Sequence, residues 1–142
     1  MSDPLHLIKL SVGSESVASL AKWQATRAAQ GRDGLPRHVT RMWPRRKAEL
    51  LDGGSIYWVI RGFIRARQRI VRLDEADLGD GVRRCAIVLD PTLVSTAATP
   101  RRPFQGWRYL RAADAPVDLT REGTDDELSP QLLAALAEIG VR

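Results

Sequence analysis

The sequence predicts an α+β fold: a curved mixed or antiparallel sheet, able to close into a small barrel, with two early helices and one at the C-terminal end. Three observations carry this. Even positions from Ile56 to Ile70 are almost all apolar, while Arg61, Arg65, Arg67 and Arg69 take odd positions, which is the period of a strand with one greasy and one cationic face. Pro44 and the Gly53-Gly54 pair punctuate a short helix between two strand-like stretches. CAIVLD, residues 85–90, is an apolar run closed by Asp90 and Pro91, and reads as a central strand antiparallel to its predecessor.

Taken in order, LHLIKLSV (5–12) is a first strand ended by Gly13. Ser14 then offers a helix cap, and Val17, Leu20, Ala21, Gln24 and Ala28 recur three or four apart, predicting an amphipathic helix over 15–30 that Trp23, beside the stripe, anchors to the core. GRDGLPR is a loop and HVTRM a brief strand. The second helix covers 44–52, and its DGGS ending reads as a helix stop, since a phosphate-cradling loop needs a helix that begins there. A long strand starts at Ser55 and bends or divides at Gly62. Residues 74–82 are expected to be a turn-rich connection and 92–103 an extended surface crossing. FQGWRYL is the last strand, and Ser129-Pro130 opens a terminal helix over Leu132, Leu133, Leu136 and Ile139. The expected organisation is one domain over 1–119, with 120–142 an acidic linker and helix flanking it.

Composition narrows the function. Residues 1–112 carry 20 Lys and Arg against 10 Asp and Glu, whereas residues 113–142 carry 2 against 7, so a basic body precedes an acidic tail that can fold back on it. The single cysteine, Cys85, excludes an internal disulfide and a cysteine-based metal cage, and only His6 and His38 could serve as imidazole ligands, so no metal or other cofactor is expected. The N-terminal apolar piece is short and preceded by aspartate, unlike a secretory signal, and no apolar run reaches the roughly twenty residues of a membrane span. A cytoplasmic location without membrane association is the expectation.

The blocks HVTRMWPRR, LLDGGSIYWVIRG, RQRI, RRC before LDP, and RRPFQGWRYL together make a specific pattern. In them the chain resembles a bacterial family catalogued as domain of unknown function fourteen eighty-nine, to about Leu119. The resemblance implies a relative but no activity. Members often have a cysteine at the position of Ser11, which argues against an essential thiol there. By fold-level analogy alone, the curved basic sheet is similar to the small RNA-binding barrels of the PUA type and their ASCH relatives.

The residues with most to offer are basic and aromatic. Arg61, Arg65, Arg67 and Arg69 share a strand face, Arg101, Arg102 and Arg108 surround Trp107 and Tyr109, and Arg41 lies near Trp43. Guanidinium groups neutralise phosphates and exposed rings stack on bases, so this set points to a non-catalytic module binding RNA or another polyanion. Two other readings compete. His38, Asp52 and Cys85 in one cleft would make a small hydrolase or nucleic-acid-modifying enzyme, although no Walker, dinucleotide, kinase or Gly-x-Ser-x-Gly pattern is present. An acidic tail or terminal helix that joins a partner would make an interaction subunit.

Overall fold

A computed structural model describes residues 3–119. Its strands are β1 (Leu5–Leu10), β2 (Arg37–Thr40), β3 (Ser55–Ile60), β4 (Phe63–Ala76), β5 (Arg84–Leu89), β6 (Val94–Pro100) and β7 (Trp107–Arg111). Two helices, α1 (Val17–Gln24) and α2 (Lys47–Leu51), fall between β1 and β3. The sheet is mixed, in the order β2-β5-β4-β3-β1-β7, with β6 also on β4; β1 and β3 are parallel and the other pairs antiparallel. The predicted terminal helix lies outside the described residues.

β4 is the axis of this sheet. The residues predicted to bend at Gly62 form a two-residue hairpin, with Ile60 opposite Phe63 and both Arg61 and Gly62 at positive φ. Such a turn matches the twist of its flanking strands. One edge of β4 takes β3, and the other takes β6 and β5 end to end, with residues 90–93 looping out between them. The strand therefore continues to Ala76, into the segment expected to be a connection, and residues 94–100 form β6 where a surface crossing was expected. Both corrections have one cause: the backbone N–H and C=O groups along β4 need partners, and the Ser/Thr/Ala-rich segment supplies them although it has no apolar alternation.

Among the described residues the sheet does not close into a barrel: β7 pairs only with β1 there, and the returning chain reaches β6 through a single bridge, Thr96 to Asp118, flanked by two backbone hydrogen bonds. One bridge is not a ladder, and among the described residues β2, β7 and β6 are all edges of the sheet.

The helices are shorter than predicted. Ser16, not Ser14, caps α1: its hydroxyl accepts from the Ser19 N–H while the Ser19 hydroxyl accepts from the Ser16 N–H, a reciprocal box. The helix stops at Gln24 because Thr26 Oγ1 donates to the Trp23 carbonyl and Gln30 Nε2 to that of Gln24, capturing the final turn. A 3₁₀ turn, Arg27–Ala29, follows. α1 buries Leu20 and Gln24, which leaves Trp23 off the buried stripe and 54% exposed, so it does not anchor the helix.

Two apolar clusters line opposite faces of the sheet. Leu7, Leu50, Ile56, Ile60, Ile87 and Leu89 form the heart of the larger, beneath the helices, and Ile8, Tyr57, Val59, Ile64 and Leu110 form the smaller. Gln68 is fully buried in the first and is satisfied there: it exchanges amide bonds with Gln24, accepts from Trp58 Nε1 at 3.0 Å and donates to the Asp90 carbonyl at 2.9 Å. Four segments are tied together by that one side chain, because an unpaired amide in this position is costly.

Gly53, with φ of 89°, ends α2 as predicted, and Gly54 allows close passage: a Cβ there would lie 2.2 Å from the Leu5 carbonyl oxygen and 2.4 Å from that of Leu50. We expect Gly54→Ala to destabilise the fold by more than about 3 kcal/mol in urea unfolding, whereas Gly79→Ala, at positive φ but in open space, costs about 1 kcal/mol.

Candidate nucleic-acid interface

The arginine row is not one continuous face. A register shift between Trp58 and Val59 sets Ala66 opposite Trp58 but Ile64 opposite Val59, so Ile64 joins the small cluster while Ala66 faces the large one. Arg67, opposite Tyr57, and Arg69, opposite Ser55, share a face; Arg65 lies in the irregularity, and Arg61 sits in the hairpin turn. A β-bulge moves every later side chain across the sheet, which an even-odd count cannot register.

The four groups have different partners. Arg67 makes a two-pronged bond to Asp118, Nε and Nη2 each donating at 2.7 Å, and a third bond to the Ser55 hydroxyl. That fork holds the Asp118 carboxyl below the usual carboxylate range. The first stretch of the acidic region thus does fold back on the basic body. Arg61 contacts Glu15 at 3.4 Å with both side chains exposed, Arg65 covers the Phe63 ring, and Arg69 is exposed.

The second basic group is better placed. Arg101, Arg102 and Arg108 line an open groove of about 430 Å³ with Phe104, Tyr109 and Leu110. Arg102 and Arg108 are exposed, Arg108 lies over the Phe104 ring at 5.2 Å, and Arg101 is half-buried, donating to the backbone carbonyls of Pro100 and Asp114. The groove's carboxylate, Asp114, accepts from Arg111.

The aromatic residues expected to stack on bases hold structure together. Trp107 is 5% exposed and its indole donates to the Met42 carbonyl at 2.8 Å, while the half-buried Tyr109 hydroxyl accepts from the backbone N–H groups of Arg45 and Arg46. Both pin residues 42–46 against β7; Trp107 is buried, and Tyr109 keeps only part of its ring at the groove. Arg41, in that loop, is exposed. Phe104 faces the groove from the stretch before β7, which begins at Trp107 and not at Phe104 as the sequence predicts.

His38, Asp52 and Cys85 do not come together. Asp52 is exposed at the end of α2. Cys85 is fully buried, and desolvation, then Asp74, pushes its thiol up to about 11, the opposite of activation. His38 shares a face with Cys85 across the β2-β5 pair but meets the Trp58 ring edge-on at 6.0 Å and lines a separate cleft with Lys9, Gln24 and Trp23. Lys9 and Trp23 were not singled out as site residues from the sequence, although a lysine interrupting the apolar LHLIKL run was a visible irregularity. Among the described residues no cluster of three or more His, Cys, Asp and Glu could hold a metal, and no helix is long and apolar enough to cross a membrane.

Burial, followed by the charge of Lys9, lowers His38 to about 4. The imidazole is therefore neutral in the fold and, when pH falls below its unfolded value, the unfolded chain takes the proton first, so stability present above about pH 6.5 is lost on acidification. This contributes a loss of about 2 kcal/mol between about pH 7 and pH 5. In His38→Gln, urea unfolding across that range should show a shallower slope, the remainder belonging to His6, whose value burial and Arg67 also lower. An unchanged slope would show that the imidazole is not held neutral.

Comparison with known proteins adds a family and nothing narrower. Neither a curated protein nor a solved structure matches this sequence. A family model does, over residues 7–142, well past the Leu119 limit read from the motifs, and on that match the chain belongs to the family described as protein of unknown function (DUF1489).

Proposed function

We propose that this chain is a nucleic-acid binding module, with RNA as its ligand, and that the groove formed by the 101–110 segment is the contact surface. The observation that carries the reading is the convergence of Arg101, Arg102 and Arg108 beside the Phe104 ring, with Asp114 already engaged by Arg111. Phosphate oxygens accept from guanidinium forks, and an unpaired base can stack on a phenyl face. Arg41 and Arg69 are exposed and Arg61 and Arg65 lie in or beside the β3-β4 hairpin, but none of the four lines the groove. Arg67 contributes only when Asp118 releases it. Trp107 and Tyr109 act by holding the strand that presents Arg108. No reaction is assigned to the module.

The test is salt-dependent binding to a mixed single-stranded RNA pool. Replacing Arg102 and Arg108 together by glutamate should weaken binding by about tenfold or more, and should flatten the log-log salt dependence by about 1.4, two contacts at roughly 0.7 each. Arg32→Glu, an exposed site away from the groove, should leave both nearly unchanged. Absence of salt-sensitive binding at low ionic strength, or equal losses in the double variant and Arg32→Glu, would sink the reading.

A further inference from the structure

The cleft at the junction of α1, β1 and β2 is separate from the arginine groove. Its apolar wall, Leu20, Trp58 and Leu89, belongs to the large cluster, whereas Ile8, Phe104 and Leu110 of the groove belong to the small one. We propose that this cleft binds a small ligand consisting of one planar aromatic or heteroaromatic ring that carries an anionic group.

Size sets the ring count. The cleft holds about 140 Å³, and an apolar cavity of about 150 Å³ accommodates one benzene. Its walls suit such a ring. Trp58 and Leu89 are buried behind it, while Trp23, 54% exposed, and Val12, 87% exposed, stand at its border as apolar surface with nothing in the described chain to cover them. The wall is rigid, because Gln24 and Trp58 are both fastened to the buried amide of Gln68. A ring entering the cleft therefore meets a formed surface and loses little to ordering it.

Charge decides what the ring carries. Lys9 and Arg37 line the cleft, and no aspartate or glutamate does. Lys9 donates to its neighbour's carbonyl, that of Leu10, at 3.3 Å, and among the described residues no carboxylate lies within ion-pairing distance of it. Arg37 precedes His38 on β2, so its guanidinium takes the other face of the sheet, where Asp33 and Asp74 hold it, and the free cation of the cleft is Lys9. His38 faces the same space, makes no side-chain hydrogen bond among the described residues, and offers one donor and one acceptor as a neutral imidazole. A half-buried ammonium without a carboxylate partner, beside the His38 imidazole, favours an anion over a neutral or cationic ligand, and aromatic walls favour one with a ring.

The experiment follows the indole N–H resonances of Trp23 and Trp58 in ¹⁵N-labelled full-length protein, assigned with Trp23→Phe. Benzoate and uridine 5′-monophosphate serve as ring anions, benzyl alcohol as a ring without charge, and acetate as a charge without a ring. Saturable shifts are expected from the two ring anions, with acetate and benzyl alcohol weaker by about tenfold or more. Lys9→Met should abolish the preference of benzoate over benzyl alcohol, and Trp23→Ala, at an exposed position that the fold does not need, should weaken both ring anions. The inference is overturned if neither ring anion gives saturable shifts, if acetate binds as well as benzoate, or if Lys9→Met leaves the preference intact in a folded variant. Replacing Arg102 and Arg108 by glutamate should not alter these shifts, so failure of the RNA reading and failure of this one are told apart. Competition by oligouridylate would identify a strand as the source of the ring, and its absence a free small molecule; either result supports the site.

Discussion

Hydrogen bonding along both edges of β4 is the constraint from which the rest of the architecture follows. A 14-residue strand in the middle of a sheet exposes main-chain donors and acceptors on two sides, and each buried one left unpaired is expensive. β3 returns through a two-residue turn to cover one side from Phe63 to Arg69. The other side is too long for either partner alone, so β5 covers the end nearer Ala76 and β6 the end nearer Phe63, with Asp90 and Pro91 turning between them. The carbonyl of Asp90 then receives Gln68 from the core, which ties the break in the partner strands to the long strand they share.

The price of such a long strand is irregularity, which governs where the cations go. Register shifts near Arg65 and Val71 re-aim the residues on either side of them. Arginines that alternate in sequence consequently have unlike surroundings: one in a turn, one against a phenyl ring, one clamped by a carboxylate and one in solvent. Most of the ion pairs are at least partly exposed, as with Arg83–Glu75 and Arg111–Asp114, and pairs of that kind contribute no more than about 1 kcal/mol each. They shape the potential of the surface more than the stability of the fold. Beyond β6, Pro100 and Pro103 keep the chain from continuing a strand, and Arg101, Arg102 and Arg108 gather around Phe104.

Tertiary packing also reassigned the aromatic residues. Trp107 and Tyr109 look from their neighbours like a stacking platform, yet both are consumed in fastening residues 42–46, while Trp23, expected to be an anchor, stands open beside a cleft. An amphipathic stripe three residues wide leaves its flanks undetermined, and a flank is buried only if another element passes over it.

What the sequence determined by itself was local: the strand character of residues 55–70, the apolar β5, the glycine stop after α2, and the contrast between a basic body and an acidic tail. Each follows from side-chain period, backbone freedom or charge within a few residues. What only the tertiary structure decided was which edges pair, and with that the existence of β6, the opening of the sheet where a barrel was conceivable, the Arg67–Asp118 clasp and the meeting of Lys9, His38 and Trp58 around one cleft. Those depend on residues tens of positions apart, and no repeat in the chain records that they will touch.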